Sequence, residues 1–319
     1  MATPALALIP AQTYSPQAIV ANSGQTASMR FLEFFTVNLR NRNTRAAYSH
    51  AVSRFLDWCD LRNVTVLNQV QPVHVAGYIE QLGQSASVPT AKLHLAAIRA
   101  LFDWLVTGQI VPANPAQAVR GPRLFTRNGQ TPILGSAELR VLLDGINTAT
   151  PIGLRDRALI GLMLFTFARV SAAVNLELAD YTLRDGKRWV RLQEKRGTVN
   201  QMPCHHVLQE YLDAYIAATG ITQGSLFRSA SKDGILTGNP LSRIDAYRIV
   251  RRAMKRAGLG NSAAGCHTFR ASGITAYLKA GGALEVAQVM AGHADSRTTR
   301  LYDRRQDLVK AEEVERIDI

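Results

Sequence analysis

Near its end the chain reads HTFRASGITAYLKAGGALEVAQVMAGHADSRTTRLYDRR, residues 267–305, a stretch with two histidines and five arginines. His267 and Arg270 stand three positions apart and therefore share one face of any helix that contains them. His293 and Tyr302 follow, nine residues apart. Tyr302 is either a surface aromatic beside solvated arginines or a reactive phenol. A free phenol has a pKa near ~10, and neighbouring cations would favour its ionised form.

Two positions upstream extend this basic set. The stretch FARVS ends an apolar helical pattern with Arg169, and LQEKRG places Lys195 on a predicted β-turn. Each residue also has a purely structural interpretation. Arg169 could pair with Asp156, and Lys195 could be a solvated turn lysine. His267 could cap a helix, and His293 could fill a core.

Several common catalytic motifs are missing from the sequence. It has no G-x-x-x-x-G-K-[ST] loop, no H-E-x-x-H pair and no tight acidic cluster suited to a two-metal nuclease. Phosphoryl chemistry without metal or ATP needs fixed cations, a protein nucleophile and an acid for the leaving oxygen. Arginine, lysine, histidine and tyrosine can supply those groups, so we expect no cofactor and no metal.

The composition predicts a globular protein with a polyanionic partner. Of the 319 residues, 47% are hydrophobic and 19% charged, and the formal net charge is +13. Residues 1–133 carry 11 Lys/Arg against 5 Asp/Glu, and residues 134–319 carry 26 against 19. Both halves are therefore positive, as expected for a protein that holds nucleic acid with two domains.

The sequence also predicts a location. Its longest apolar run, 158–168, is shorter than the ~20 residues of a spanning helix. Its start lacks a basic n-region. The three cysteines, Cys59, Cys204 and Cys266, are widely spaced, which favours a reducing compartment. We expect a soluble cytoplasmic protein, associated with a bacterial nucleoid or replicon and without a membrane partner.

Sequence patterns divide the chain into four segments. Residues 1–29 contain no charge and are rich in Ala, Pro, Ser and Thr, which predicts a flexible arm. Residues 30–118 show helical apolar stripes. Pro and Gly interrupt the periodicity over 119–133, a predicted linker, and 134–319 form a second domain.

The predicted fold class is mainly α with a small β-sheet. Thr44 and Ser136 are the expected N-caps of two helices. An apolar stripe runs from Leu95 to Val106 and ends at Gly108. In the second domain a very apolar helix runs into Arg169. Strands are expected over 187–193 and 198–203, and further helices over 205–219, 240–257, 268–280, 283–291 and 296–302.

Taken in chain order, the basic residues resemble the signature of the tyrosine site-specific recombinases, the family of phage integrases and Xer-type proteins. That signature is Arg, Lys, His-x-x-Arg, His or Trp, then Tyr, and the matching positions are Arg169, Lys195, His267, Arg270, His293 and Tyr302. The resemblance spans about residues 30–310, since TRAAYSHAVSRFLDWC and TAKLHLAAIRALFDWLVTGQIVPANPA are similar to the family's helical segments. It implies a helical, SAM-like core-binding domain and a mixed α/β catalytic domain that together form a clamp around DNA.

One departure from the family pattern concerns a carboxylate. Most members have an acidic residue three positions after the first arginine, where this chain has Ala172. The usual Gly-Leu before that arginine is here Phe167 and Ala168. The missing carboxylate removes a hydrogen bond that would orient active-site side chains, so we expect either a substitute residue or reduced activity.

The resemblance implies a role for each signature residue. Tyr302 would attack a DNA phosphate and leave a 3′-phosphotyrosyl link and a free 5′-hydroxyl. Arg169 and Arg270 would clamp the non-bridging oxygens. Lys195 would protonate the leaving 5′ oxygen. His267 would manage the proton of the phenol, and His293 would hydrogen-bond the phosphate.

Further positions resemble DNA-facing ones. Residues 240–257 place six Lys/Arg around the apolar Ile244, Ile249, Val250 and Met254, and in the family this helix approaches the major groove. The candidate DNA-binding residues are Thr44, Arg45, Lys92, Arg99, Arg120, Arg123, Ser242 and Arg243.

The expected partner is double-stranded DNA with an inverted-repeat site. The family implies a homotetramer on two such sites, and a monomer or dimer off DNA. The tail after Tyr302 could dock on a neighbouring protomer or fold back on its own domain. Two other functions stay open: a type IB topoisomerase, and a DNA-binding or architectural protein that has lost cleavage.

Overall fold

The computed structural model describes residues 17–123, 131–194, 197–260 and 263–303. The chain divides into two compact units, Met1–Phe125 and Thr126–Ile319, and the division falls within the predicted linker 119–133. The prediction of a mainly helical protein with a small sheet is confirmed. None of the helices in the described part of the chain is both long and apolar enough to cross a bilayer.

The N-terminal unit is built from helices. They are α1 Ala18–Asn22, α2 Gln25–Glu33, α3 Arg42–Asp60, α4 Pro72–Ser85 and α5 Val88–Thr107, with a π-helical turn at Phe34–Asn38 and a 3-10 turn at Leu67–Gln69. Helices α3 and α5 pack against each other. Their apolar faces meet in one core that includes Val52, Phe55, Ile98 and Phe102. The predicted stripe on α5 is buried except at its last member, and the helix ends before Gly108 as expected.

The prediction of a flexible arm over 1–29 is wrong for residues 17–29. These residues form α1 and most of α2, where Ile19 and Val20 are fully buried. Gln17 Nε2 also donates a hydrogen bond to the carbonyl oxygen of Ser53 at 2.8 Å. A charge-free segment can still bury apolar area, and here that burial orders the chain. Residues 1–16 lie outside the described residues.

Two helices begin one to three residues earlier than predicted. The N-cap of α3 is Asn41, whose Oδ1 accepts hydrogen bonds from two backbone amides at 3.0 and 3.1 Å. Thr44 therefore lies in the first turn instead of capping it. At the start of α6 the residue outside the helix is Gly135, whose amide donates to Glu138 Oε2 at 2.7 Å. Ser136 is the first helical residue there.

The second unit combines eight described helices with two small antiparallel sheets. The helices are α6 Ser136–Asp144, α7 Pro151–Phe165, α8 Val170–Val174, α9 His206–Thr219, α10 Arg243–Arg256, α11 Cys266–Lys279, α12 Leu284–Ala291 and α13 Ser296–Arg300. The strands are β1 Tyr181–Arg184, β2 Lys187–Gln193, β3 Val199–Pro203, β4 Arg228–Ala230 and β5 Leu236–Pro240. Strand β2 lies between β1 and β3, and β4 pairs with β5. The two strands predicted from the sequence are confirmed as β2 and β3, which pair with each other. Strands β1, β4 and β5 are short and contain one buried residue, Tyr181, so they lack a buried apolar pattern.

The apolar helix predicted to run into Arg169 ends earlier. Helix α7 stops at Phe165, and α8 begins after Arg169, which is its N-cap residue. Between them Phe167 has a φ of 56°, in the left-handed region that costs a non-glycine residue roughly 1–3 kcal/mol. Its ring is buried against α11, and such burial contributes about 1.5–3 kcal/mol. The two effects are comparable, so packing can hold Phe167 in this conformation.

Gly273 sets how closely α11 approaches the end of α7. A Cβ atom at this position would lie 2.1 Å from the carbonyl oxygen of Leu164 and 2.9 Å from the ring of Phe167. We expect Gly273→Ala to lower the free energy of unfolding by about 1–3 kcal/mol, measured by urea denaturation, because the helices must separate. Gly83→Ala on α4 is the control: that Cβ would meet nothing within 4 Å, so it should stabilise the chain by about 0.5–1 kcal/mol. An unchanged stability in Gly273→Ala would contradict this account.

Candidate active site

Arg270 connects the segment that precedes Arg169 with the segment that precedes His293. It lies on α11 and is fully buried. Its Nη1 donates to the carbonyl oxygen of Phe167, two residues before Arg169, and its Nη2 donates to the carbonyl oxygen of Ala291, two residues before His293. Its Nε has no hydrogen-bond partner among the described residues. A guanidinium has five N–H donors, so the group can hold both segments and still bind an anion.

Tyr302 follows α13 and directs its hydroxyl to α11. The phenol Oη lies 2.8 Å from Nε2 of His267. Thr275 Oγ1 donates to the backbone carbonyl of Tyr302 at 3.0 Å, which ties the end of α13 to α11. The tyrosine is only 7% exposed. A candidate nucleophile and a candidate proton acceptor are therefore in contact within one chain.

His293 packs against Tyr302. We call the surroundings of the phenol, formed by His267, Arg270 and His293, the tyrosine pocket. Its imidazole stacks on the ring of Tyr302, with centroids 6.0 Å apart and planes 9° from parallel. Its Nδ1 lies 2.9 Å from Oγ1 of the buried Thr299. The hydroxyl of Thr299 fixes the ring orientation and leaves Nε2 for another partner.

Arg169 pairs with a carboxylate other than the one considered from the sequence. Its guanidinium, 31% exposed, forms an ion pair with Glu194, whose side chain is 3% exposed. Asp156 instead binds Arg155 at 2.6 Å and approaches Arg252 at 3.6 Å. The pairing of Arg169 with Asp156 is therefore wrong.

Burial opposes ionisation of the candidate nucleophile. It raises the pKa of Tyr302 above that of a free phenol, although the charges of Arg270 and Arg169 act in the lowering direction. The expectation that the basic setting would favour the phenolate is therefore wrong in its net direction. The charges of the two arginines lower the pKa of Tyr302, as predicted. The loss of hydration around its buried hydroxyl raises the pKa by more.

Both histidines are held in the neutral form. The pKa of His267 lies below its usual value because of burial first and the charges of Arg270 and Arg169 second. The same causes, with burial again the largest, lower the pKa of His293 to about 3. A neutral imidazole can accept a proton, so His267 has the correct state to receive one from Tyr302 at neutral pH.

Five of the six signature residues are described, and they lie close together: Arg169, His267, Arg270, His293 and Tyr302. Lys195 lies outside the described residues. Sequence reasoning missed three supporting side chains, Glu194, Thr275 and Thr299. Of these, Glu194 could have been found, because it directly precedes Lys195 in a chain that lacks the usual carboxylate at Ala172. In the described ranges no three His, Cys, Asp or Glu side chains are arranged to hold a metal ion.

The candidate DNA-binding residues of the N-terminal unit fall into two groups. Arg45 donates to the carbonyl oxygen of Leu39, and Arg99 donates to those of Ala116 and Val119, so both guanidinium groups already stabilise loops. The other four side chains are exposed and lie on α3, on α5 and in the segment after α5: Thr44, Lys92, Arg120 and Arg123.

The candidates on α10 lie at its exposed N-terminal end. Ser242 is the N-cap, and its Oγ accepts from the amide of Asp245 at 3.1 Å. Arg243 begins the helix and is exposed. Ile244 was grouped with the apolar side of this helix, but it is 65% exposed and stands next to Arg243 on the open face.

Comparison with known proteins identifies the family of this chain. Residues 133–308 match the phage integrase family, and residues 30–109 match the phage integrase N-terminal SAM-like domain. Tyrosine recombinase XerD of Corynebacterium glutamicum is 29% identical over 274 residues, which cover 82% of this chain and 86% of that protein.

Two solved structures share the fold. XerH recombinase bound to palindromic difH substrate, in a post-cleavage complex, has a TM-score of 0.68 at 21% identity, covering 86% of this chain and 79% of that one. A lambda integrase tetramer bound to a Holliday junction has a TM-score of 0.70 at 18% identity, covering 89% and 79%. The family match covers more than half of the chain and contains all the signature positions. The chain therefore belongs to the phage integrase family, the tyrosine recombinases.

Proposed function

We propose that this chain cuts and rejoins DNA at specific sites through a covalent 3′-phosphotyrosyl intermediate on Tyr302. The observation that carries the proposal is the 2.8 Å contact between the phenol Oη and Nε2 of His267. This contact supports the proposal because the phenol lies against a neutral imidazole, next to two arginines whose charges act on both groups. Surface tyrosines beside solvated arginines have no such arrangement.

In the proposed cleavage step Tyr302 Oη attacks the scissile phosphorus, and the bond from phosphorus to the 5′ oxygen breaks. The phenol proton passes to His267 Nε2 as the new bond forms, because burial makes a free phenolate unfavourable beforehand. Arg169 and Arg270 bind the non-bridging oxygens and stabilise the added negative charge, the former from a partly exposed position and the latter from a buried one.

The proposed leaving-group step uses Lys195, which donates a proton to the departing 5′ oxygen. His293 contributes through Nε2: if Nδ1 accepts from Thr299 Oγ1, Nε2 carries the hydrogen and donates to the phosphate. The covalent link conserves the energy of the phosphodiester, so a 5′-hydroxyl from a second duplex can reverse the step without ATP or metal.

The proposed assembly is a homotetramer on two inverted-repeat DNA sites, with a monomer or dimer off DNA. XerH on palindromic difH and the lambda integrase tetramer on a Holliday junction support this by fold similarity. Both units of this chain carry net positive charge, so we propose that both hold the duplex as a clamp. The exposed end of α10, with Ser242 and Arg243, would enter the major groove.

A DNA site with a nick just past the scissile phosphate tests this function, because cleavage releases a short fragment and traps the covalent complex. The site is first selected from bound genomic fragments. A denaturation-resistant complex that maps to Tyr302, and exchange between two duplexes, are expected. A trapped covalent complex with relaxation of supercoiled DNA, but without exchange between duplexes, would indicate a topoisomerase. Tight binding without trapping would favour an architectural protein, which the alanine at position 172 makes the stronger second candidate.

The lowered pKa of His267 predicts the pH dependence of cleavage. His267 stays neutral from its lowered pKa upward, so the single-turnover rate should vary less than about twofold from pH 6.5 to 8 and fall only below about 6.5. His267→Gln keeps a hydrogen-bonding side chain but cannot take the proton, so its rate should rise about tenfold per pH unit as hydroxide ionises the phenol. A tenfold rise per unit in the wild type would contradict the role of His267.

A further inference from the structure

The candidate site contains a carboxylate among its cations. Glu194 forms an ion pair with Arg169 while its own side chain is 3% exposed. Its Cγ lies 3.6 Å from the position that a Cβ on Gly292 would occupy, next to His293. Its charge also raises the pKa of Arg270, against the effect of burial. Glu194 therefore acts on both phosphate-binding arginines and lies against the His293 segment.

We propose that Glu194 is the positioning residue of this site and takes the place of the acidic residue that is missing at Ala172. The inference rests on the proposed function and concerns how its arginines are held. Ala172 is 2% exposed in the core and has no group that could orient a guanidinium. Glu194 supplies the carboxylate from the residue that follows β2, instead of from α8.

The electrostatic reason is the repulsion between the two arginines. Without DNA, the charge of Arg169 lowers the pKa of Arg270, which reports unfavourable interaction between two neighbouring cations. The carboxylate of Glu194 offsets that repulsion and holds Arg169, which is otherwise free to turn toward solvent. The carboxylate accepts a single described hydrogen bond from Arg169, so most of the five guanidinium donors remain for a phosphate.

The backbone of Glu194 is itself held in place. Its amide donates to the carbonyl oxygen of Thr198 at 2.7 Å, next to the pairing of β2 with β3. The residue that pairs with Arg169 is therefore anchored at its backbone as well as at its side chain.

The test compares Glu194→Gln and Glu194→Ala with wild type in single-turnover cleavage at saturating nicked DNA, alongside the dissociation constant for intact DNA. We expect cleavage to slow about 10-fold in the glutamine variant and about 10²-fold in the alanine variant, because a misplaced guanidinium binds the transition state poorly. DNA affinity should be equal or tighter, since a negative charge is removed. Only variants that unfold cooperatively in urea are compared, and the isosteric glutamine decides if the alanine variant does not fold.

Asp180→Asn is the matched control. The side chain of Asp180 is 4% exposed and accepts from Arg191 Nε of strand β2 at 2.7 Å, so it is a similarly buried carboxylate in an ion pair outside the candidate site. Its loss should leave the cleavage rate unchanged. In an Arg169→Ala background Glu194→Gln should cause a smaller further loss than in the wild type, because the ion pair with that arginine is already gone.

The outcomes separate the two proposals. If wild-type protein on its selected site forms no covalent complex, the proposed function is overturned, and this inference with it. If the wild type cleaves and Glu194→Gln or a folded Glu194→Ala cleaves at the same rate or faster, the function stands and the positioning role is overturned. An equal further loss in the Arg169→Ala background would also overturn it.

Discussion

Tyr302→Phe is expected to abolish the covalent complex while leaving DNA binding intact. The substitution removes one oxygen, which is the proposed nucleophile, and keeps a ring that packs between His293 and α11. The lost contact with His267 should cost about 0.5–1.5 kcal/mol of folding free energy, so the variant remains folded. The measurement is trapping on nicked DNA, with the dissociation constant measured in parallel on intact DNA.

Tyr277→Phe provides the control for this result. Tyr277 packs against the same small cluster as Tyr302 but is not part of the proposed machinery. It should trap DNA at the wild-type rate. A covalent complex formed by Tyr302→Phe would disprove the assignment of the nucleophile.

Mixing experiments extend the prediction to the origin of the nucleophile. The proposed catalytic side chains described around Tyr302 come from its own chain, so cleavage should occur within a subunit. A mixture of Tyr302→Phe with an Arg270 variant should therefore stay inactive. Restored cleavage would mean that the tyrosine acts in a neighbouring subunit.

Arg270→Lys is expected to lower both cleavage and stability. Lysine keeps the charge but has a single nitrogen, whereas the guanidinium uses two nitrogens to reach the separate carbonyls of Phe167 and Ala291. One lost phosphate donor costs about 10²–10³-fold in rate. Each buried carbonyl left without a donor costs about 1–3 kcal/mol of folding free energy. Single-turnover cleavage and urea denaturation measure the two effects.

Arg155→Lys separates the two effects. Arg155 is also buried, with its guanidinium bound to Asp156 and to the carbonyl oxygen of Arg228, but it lies outside the tyrosine pocket. It should lose stability and keep the cleavage rate. Equal loss of cleavage in both variants would mean that Arg270 acts only through folding.

The long apolar patterns of the chain predicted its fold well. Helices α3 and α5 have stripes of buried residues at helical spacing, and β2 and β3 flank a turn with strand-forming residues. The errors lie where local signals are weak. Residues 17–29 have no charge pattern, yet they are ordered because their apolar side chains find a surface on helices distant in sequence. The end of α7 depends on where the ring of Phe167 packs.

The chemistry of the candidate site was visible in residue types and their order. Arg169, His267, Arg270, His293 and Tyr302 could be selected because reactivity toward phosphate belongs to the side chain itself. Their environment could not be selected in this way. Whether the phenol is easier or harder to ionise depends on the balance between nearby positive charge and lost hydration. Here the effect of lost hydration on the pKa exceeds that of the charges. That balance is a property of packing.

The amino-acid order alone identified the family, and it predicted the candidate reacting groups and a two-part organisation of the chain, since these follow from side-chain chemistry and local periodicity. Only the tertiary structure shows which groups these side chains contact. It shows that Arg270 holds two remote backbone carbonyls, that the phenol contacts His267 and that Glu194 binds Arg169. These contacts join residues from 21 to 103 positions apart. Their existence depends on how distant segments pack, which no local pattern encodes.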